Sequence, residues 1–311
     1  MRFLVALAIA ISLVLAPGAS GRAAESRGFS LSWAPPALSD PQTVTMPDTN
    51  GRVLMDRAKD YVVDVGHLRA CGGLRLEGGR NVVVVGGRIT IPGICGSAYD
   101  RTAIKVVGNR GTVHLEGILI DGVYTHDGIV TLAPEATLQV ENVRIAEVRT
   151  RNGDHADCLQ TQAGLGRLRV DRLTCTTELQ GFFLNVENGH PVGLSDIRNT
   201  DIVGAPGKYM FFQATPVIPV VLSNVWLYTD KPWAPFGFLV YPQKNGRTYA
   251  GKDEPWRRSV VSADGKRVWF VGSNIKGSIY NGRPRSGDFV PAGVAGVTYR
   301  SPGYRTQTER E

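Results

Sequence analysis

The sequence predicts an all-β chain that coils into a parallel β-helix, and three observations support this fold class. Short strand-like runs of alternating apolar residues recur, and from Thr112 onward their spacing is about 25 to 30 residues. A second series of such runs interleaves with the first. No stretch shows a sustained helical period, and the gaps leave no room for a crossover helix. Coiling would bury the apolar side of every strand against the next turn.

Both series can be read directly from the sequence. The first comprises Asn81–Gly86, Thr112–Asp121, Thr137–Ile145, Arg167–Cys175, Gly193–Ile202 and Val220–Tyr228. The second comprises Asp127–Leu132, Asp157–Gln162, Gly181–Val186, Tyr209–Ala214 and Gly237–Tyr241. Asparagine and glycine between the runs, as in Gly78-Gly79, Glu141-Asn142 and Ser223-Asn224, supply tight corners. A β-sandwich, the main alternative, would show hairpin turns every ~8 to 12 residues instead.

The repeat divides the chain into four segments. Residues 1–24 predict a secretory signal peptide, because Arg2 precedes an apolar run and then small residues. We therefore expect a secreted or periplasmic protein without a membrane span once this peptide is removed. The remaining segments are an extended lead-in at 25–52, the β-helix at 53–241, and C-terminal strands, cap and tail at 242–311, with a closing hairpin around Arg267–Val271 and Gly277–Tyr280.

The net charge of the chain favours one class of binding partner. A formal net charge of +7 favours an anionic partner, such as an acidic polysaccharide, by electrostatic steering. The arginines lack interleaved aromatic residues, so we do not expect nucleic-acid binding.

Four cysteines in an exported chain permit disulfides, and of three connectivities their spacing favours Cys71 with Cys95 and Cys158 with Cys175. Oligomeric state stays open, and the spacing shows no thiolate metal site.

Acidic residues at the strand entries are the candidate catalytic groups. Aligning the second series places Asp127 and Asp157 at the same position of successive turns, about 4.8 Å apart. Asp154 and His155 stand close to Asp157, and Glu178 precedes the next strand, on the same face or its rim. Carboxylates one turn apart approximate a nucleophile and acid pair, and carboxylates two turns apart leave room for a water.

These acids have more than one interpretation. Asp127 alone is typical of a turn residue that bonds its own backbone. Asp154, His155 and Asp157 together favour catalysis, with Asp157 as the acid and His155 as the proton-transfer group. Stacked carboxylates could equally hold a calcium ion, so calcium is the one cofactor that the sequence leaves open.

Other side chains are candidates for substrate binding. Arg151 or Lys208 would contact a substrate carboxylate. Gln160 and Gln162 would either hydrogen-bond sugar hydroxyls in a groove or form an internal amide ladder. Tyr209 and Trp233 could offer platforms for sugar rings, although core packing is the commoner fate of aromatic residues. Phosphate-loop, GxSxG and HExxH motifs are missing, which weighs against nucleotide, serine-hydrolase and zinc-protease functions.

The runs NVVVVGG, TVHLEGILIDG, GDHADCLQTQ and GRLRVDRLTC together resemble the pectate-lyase-like superfamily of right-handed parallel β-helix proteins, over roughly Val53 to Tyr241. The strand at Asp157 is similar to the N-T-D-G strand of polygalacturonase-type hydrolases, with Asp157 at the position of the acid. The Asp-Asp pair expected one turn later is replaced by Thr177-Glu178, and no R-I-K strand is present. Residues 154–157 are also similar to the D-P-H-D motif of alginate epimerases, without its proline and with a shifted order.

The resemblance implies a polysaccharide lyase, hydrolase or epimerase. The alternative is a non-catalytic glycan-binding or cell-surface structural solenoid that uses the same groove. Acids that converge beside a groove would favour chemistry, whereas an unbroken polar and aromatic strip would favour binding. Because a fold hosts many functions, the residues of the site must decide between these hypotheses.

Overall fold

The protein is a parallel β-solenoid of about 6 turns with almost no helix, which confirms the fold class that the sequence predicts. A computed structural model describes residues 30–93, 95–151, 153–185, 190–208, 210–214, 218–230, 238–244, 247–248, 259–270 and 274–304. The predicted signal peptide lies outside these residues. One short 3-10 helix spans Tyr99–Arg101. Across the described ranges, no helix has the length and apolar character needed to cross a membrane.

Strands follow one another along the chain with short connections. The strands of the first turns are Gln42–Thr45 (β1), Arg52–Met55 (β2), Tyr61–Asp64 (β3), His67–Arg69 (β4), Leu74–Gly78 (β5), Val82–Val85 (β6), Arg88–Thr90 (β7), Ile104–Val107 (β8), Thr112–Glu116 (β9) and Leu119–Asp121 (β10). The later turns contain Ile129–Val148 (β11), Asp157–Gln160 (β12), Leu165–Thr177 (β13), Gln180–Leu184 (β14), Ser195–Gly204 (β15), Met210–Ala214 (β16), Val220–Tyr228 (β17) and Phe238–Lys244 (β18). The C-terminal strands are Arg247–Thr248 (β19), Ser259–Val261 (β20), Arg267–Phe270 (β21), Ile275–Lys276 (β22) and Ser278–Asn281 (β23).

Parallel ladders run along the solenoid and form two main faces. Face 1 stacks β2, β5, β8, the start of β11, β12, β14, β16 and β18. Face 2 stacks β1, β3, β6, β9, the middle of β11, β13, β15 and β17. The short strands β4, β7 and β10 form a further ladder that joins the end of β11. β11 therefore turns the corner between faces, pairing with β8 at residues 129–132 and with β9 at 137–141.

Aligned apolar side chains fill the interior between the faces. On face 1 the register places Ile104, Ile129, Leu159, Phe182 and Phe212 in one column, and all five are fully buried. Alternate residues of a strand point to opposite sides, so each turn contributes its apolar members to this shared core. Each strand is thereby covered by the turns before and after it.

A column of residues with positive φ bends face 2 at each turn. We call this column the corner ladder; its members are Gly86, Gly117, Asn142, Arg172, Asn199 and Asn224. Glycine and asparagine tolerate this left-handed conformation better than other residues do. The corners predicted at Asn142 and Asn224 are confirmed, with φ of 56° and 59°.

The two ends of the solenoid and the two disulfides can be compared with the predictions made from the sequence. Parallel pairing begins at Gln42, inside the segment predicted as a lead-in. At the other end β21 pairs antiparallel with β20 and β23, which confirms the predicted closing hairpin. The disulfides Cys71–Cys95 and Cys158–Cys175 are both formed as predicted. Two such bonds are typical of proteins outside the reducing cytosol.

Candidate functional site

The candidate site begins with three polar residues stacked on face 1. Asp157 is the register partner of Gln180 on the next turn. Asp127 stands two residues before Ile129, as Asp157 does before Leu159, and these two apolar residues are also partners. Asp127, Asp157 and Gln180 therefore occupy one position on three successive turns, which for the two aspartates is the stacking that the sequence predicts.

Small residues follow the stacked groups on all three turns, and their positions face the apolar interior. A Cβ on Gly128 would lie 2.5 Å from Ile145 Cδ1, and one on Gly181 would lie 2.7 Å from Ile202 Cδ1. Cys158, between these glycines in the column, is fully buried in the core. Each stacked polar residue is therefore followed at once by a position that packs against the apolar core.

His155 and Asp157 form the central pair of the site. The Nδ1 atom of His155 lies 3.1 Å from Asp157 Oδ2 in a hydrogen bond. The imidazole is 47% exposed, whereas the carboxylate is 0% exposed. The ring also packs edge-on against Phe183, with centroids 5.4 Å apart. A solvent-accessible imidazole is thus held by a carboxylate that solvent does not reach.

The environment of Asp157 favours its protonated form. Burial raises the pKa of Asp157 to about 7, and the negative charge of Asp127 acts in the same direction. The hydrogen bond with His155 opposes this rise. Asp127 also accepts a hydrogen bond of 3.1 Å from the backbone N–H of Asp157, so the two strand entries are directly linked.

A second imidazole extends the site. His126 Nδ1 lies 3.0 Å from Asp127 Oδ2, and His126 Nε2 lies 3.3 Å from Asp154 Oδ2. His126 is buried, and neither of its ring nitrogens is aligned for a hydrogen bond to a described residue. Arg101, also buried, donates from a terminal nitrogen to Asp154 Oδ2 at 2.7 Å. Two histidines and three carboxylates therefore form one connected group.

The remaining predicted charged residues lie around this group. The backbone N–H of Arg151 donates to Asp154 Oδ1, which fixes the turn before His155. Glu178 Oε2 instead accepts two 3.0 Å hydrogen bonds from Thr150, through its backbone N–H and its hydroxyl, and lies 4.0 Å from Lys208 Nζ. Glu178 and Lys208 therefore belong to the loops that border face 1.

Of the amide and aromatic residues predicted to bind substrate, the structure describes the two glutamines. Gln160 is buried on face 1, in register with Val130 and Phe183. Gln162 is half-buried just beyond the end of β12. Tyr209 and Trp233 lie outside the described residues, so their proposed role as sugar platforms stays a prediction.

Three residues of the site were not predicted from the sequence. His126 precedes Asp127 much as His155 precedes Asp157, and this repeated pairing was the available signal. Gln180 could have been found by extending the alignment of the two aspartates by one more turn. Arg101 had no such signal, because only the folded coil brings it to Asp154, 53 residues away.

Metal binding has no further support from the described part of the chain. There, no group of three or more histidine, cysteine, aspartate or glutamate side chains is arranged to hold a metal ion. The calcium alternative therefore stays a prediction.

Comparison of the chain with protein-family models, with curated proteins and with solved structures gave no match. The site must therefore be interpreted from its own geometry.

Proposed function

We propose that this chain is an exported enzyme that cleaves or modifies a polysaccharide, with His155 as its proton-transfer group. The observation that carries the proposal is the half-exposed imidazole of His155 held by the buried carboxylate of Asp157. Imidazole titrates near neutral pH, and a carboxylate bonded to one ring nitrogen fixes its orientation and tautomer. The pair stands on a parallel β-solenoid, the fold class of the pectate-lyase-like superfamily that the sequence resembles.

Burial changes the role that the sequence suggested for Asp157. A carboxylate with no exposed surface is poorly placed to touch a polymer, so we assign proton transfer to His155 and its orientation to Asp157. Asp127 is buried as well, which weighs against a hydrolase with two working carboxylates. Removal of a proton from the sugar by one base, as in a lyase or an epimerase, fits this pair better.

The charge of the chain supports an acidic polymer as substrate. The formal net charge is +7, and Lys208 presents a half-exposed ammonium group on the loops beside face 1. The N-terminal signal pattern and the two disulfides support export.

The test compares wild type with His155→Gln and Asp157→Asn on uronate-containing and neutral polysaccharides, with and without calcium. Unsaturated products are followed by ultraviolet absorbance, and reducing ends and changes in sugar stereochemistry are followed in parallel. We expect both variants to lose about 100-fold or more of the activity, the usual contribution of a positioned acid or base. His67→Gln, which changes an exposed histidine on β4, should retain the wild-type rate.

A different pattern would contradict the proposal. If wild type shows no reaction but binds a glycan as tightly as His155→Gln does, the chain is a non-catalytic glycan-binding solenoid.

A further inference from the structure

Tyr99 presents an exposed aromatic ring on face 1. It is 42% exposed and begins the 3-10 helix that precedes β8. Lys105 Nζ lies 4.2 Å from the centroid of this ring, and the guanidinium carbon of Arg75 lies 5.3 Å from it. Arg75 and Lys105 are register partners on β5 and β8, so both cations lie on the side of the ring that faces the solenoid. The opposite side of the ring therefore faces solvent.

Contacts on the inner side hold the ring in a fixed orientation. Arg75 donates a hydrogen bond from Nη1 to the hydroxyl of Tyr99. Lys105, which is 1% exposed beneath the ring, donates one of 3.2 Å to the carbonyl of Gly72. A ligand that stacks on an immobilised ring orders little of the protein, so less of the binding free energy is lost.

The charges around Tyr99 determine which kind of ring it can bind. The C–H groups of a sugar ring form an apolar side that packs on an aromatic face, but that face carries negative potential and repels an anionic sugar. The ammonium of Lys105 behind the ring offsets this repulsion. Burial lowers the pKa of Lys105 to about 8, so most of the amine is protonated at neutral pH.

Two further cations stand beside the ring. Arg52, 58% exposed, is the register partner of Arg75, 30% exposed, on the preceding turn. Both pair with one carboxylate, that of Glu77, so one of these two positive charges is not neutralised by it. The surroundings of Tyr99 therefore favour a sugar that carries a carboxylate.

The turn that carries Tyr99 also contacts the candidate site. Arg101, at the end of the same 3-10 helix, donates to Asp154, the neighbour of His155. β8 pairs with the start of β11, which pairs with β12, so Tyr99 precedes His155 by two turns, about 10 Å along the solenoid. A short run of sugars along face 1 spans this distance.

We infer that the solvent-facing side of Tyr99 is a platform on which one acidic sugar ring of the substrate stacks, two turns from His155. The carboxylate of that ring is directed towards Arg52 and Arg75. The inference rests on the proposed function for the class of ligand and deepens it, because it orients the polymer along the solenoid axis.

The substitution Tyr99→Leu tests the platform, because leucine still covers Lys105 but has no flat face. The probe is whichever of polygalacturonate and alginate wild type binds more tightly in titration calorimetry. We expect Tyr99→Leu to bind it about tenfold more weakly, the loss of one stacking contact. Tyr99→Phe keeps the flat face and should bind as wild type does.

The matched control is Tyr228→Leu. Tyr228 is a half-buried tyrosine at the end of β17 on face 2, with the guanidinium carbon of Arg283 5.3 Å from its ring centroid. It has the same kind of cation contact in a different place, so its loss should leave binding unchanged.

The methyl ester of the same polymer tests the preference for an acidic sugar, because esterification removes the negative charges. Wild type should bind the ester more weakly than the acid. Arg52→Gln should bind the two with more similar affinities than wild type does. An Arg52→Gln protein that discriminates as strongly as wild type would overturn the assignment of the carboxylate.

The outcomes separate this inference from the proposed function. If wild type binds and modifies the polymer and Tyr99→Leu binds it as tightly, the platform is overturned and the proposed function stands. If wild type binds the polymer without modifying it and only Tyr99→Leu binds more weakly, the platform stands and the enzymatic function fails. If wild type binds no acidic polymer, the platform is overturned.

Discussion

Asp157 is a carboxyl group in a position from which solvent is excluded, and this determines how its charge depends on pH. Burial raises its pKa to about 7, compared with about 3.9 for an aspartate in an unfolded chain. Between these two pH values the folded protein holds a proton that the unfolded chain has released. The contribution to stability is therefore complete below about pH 4 and is lost as the pH rises through about 7. Burial also raises the pKa of Glu141 on face 2 to about 7, with the same sign.

The substitution Asp157→Asn should flatten this dependence. We expect the free energy of unfolding of wild type to fall between about pH 5 and about pH 7, and that of Asp157→Asn to fall less steeply. Urea unfolding across this range measures both slopes. Glu141→Gln removes the contribution of face 2 alone, so a double variant should be flatter than either single one. An unchanged slope in Asp157→Asn would mean that this carboxyl is ionised throughout the range.

From the sequence, the site could be predicted only where residues recur at the same position of successive strand-like runs. Asp127 and Asp157 could be aligned because each opens a strand of the same series. The contact between Arg101 and Asp154 could not be predicted, because it depends on how many residues each turn contains. The burial of Asp157 could not be predicted either, because aspartate side chains are ordinarily exposed.

At the scale of elements, the corner ladder decides where each strand of face 2 bends. Its asparagines are also joined by side-chain hydrogen bonds across the turns. Asn224 Nδ2 donates to Asn199 Oδ1 at 2.7 Å, and Asn199 Nδ2 donates to Asp171 Oδ1 at 2.7 Å. The glycine and asparagine corners were predictable from composition. Arg172, with φ of 54°, was not, because arginine has no general preference for this conformation.

A pair of variants at Asn224 separates the backbone effect from the hydrogen bonds. Asn224→Gly and Asn224→Val both lose the bond to Asn199 and the 2.9 Å bond from Trp226 Nε1. Only valine adds a branched side chain at φ of 59°. We expect Asn224→Val to be less stable than Asn224→Gly by about 1–2 kcal/mol. Equal urea midpoints for the two variants would show that the corner relaxes to another conformation.

At the scale of the whole molecule, chain segments from both ends cover the buried carboxylates of face 2. The backbone N–H groups of Ser32 and Trp33 donate to Glu141 at 3.0 and 2.6 Å. Glu116, the register partner of Glu141, accepts a 2.7 Å hydrogen bond from the hydroxyl of Tyr299. The lead-in and the C-terminal segment thus contact adjacent turns, where they add hydrogen bonds to buried carboxylates that His114 and Arg172 also contact.

Tyr299 connects the C-terminal segment to face 2, because its hydroxyl bonds two buried groups and its ring covers a corner. It donates to Glu116 and accepts a 2.8 Å hydrogen bond from Asn142 Nδ2. A Cβ on Gly117 would lie 2.1 Å from the ring, so this corner has room only for glycine. Tyr299→Phe keeps the ring and should lower the free energy of unfolding by about 1–3 kcal/mol, because both partners lose a hydrogen bond while buried. The control is Tyr124→Phe, which changes an exposed tyrosine and should leave the urea midpoint unchanged. Equal midpoints for Tyr299→Phe and wild type would mean that the C-terminal segment adds nothing to the stability of the solenoid.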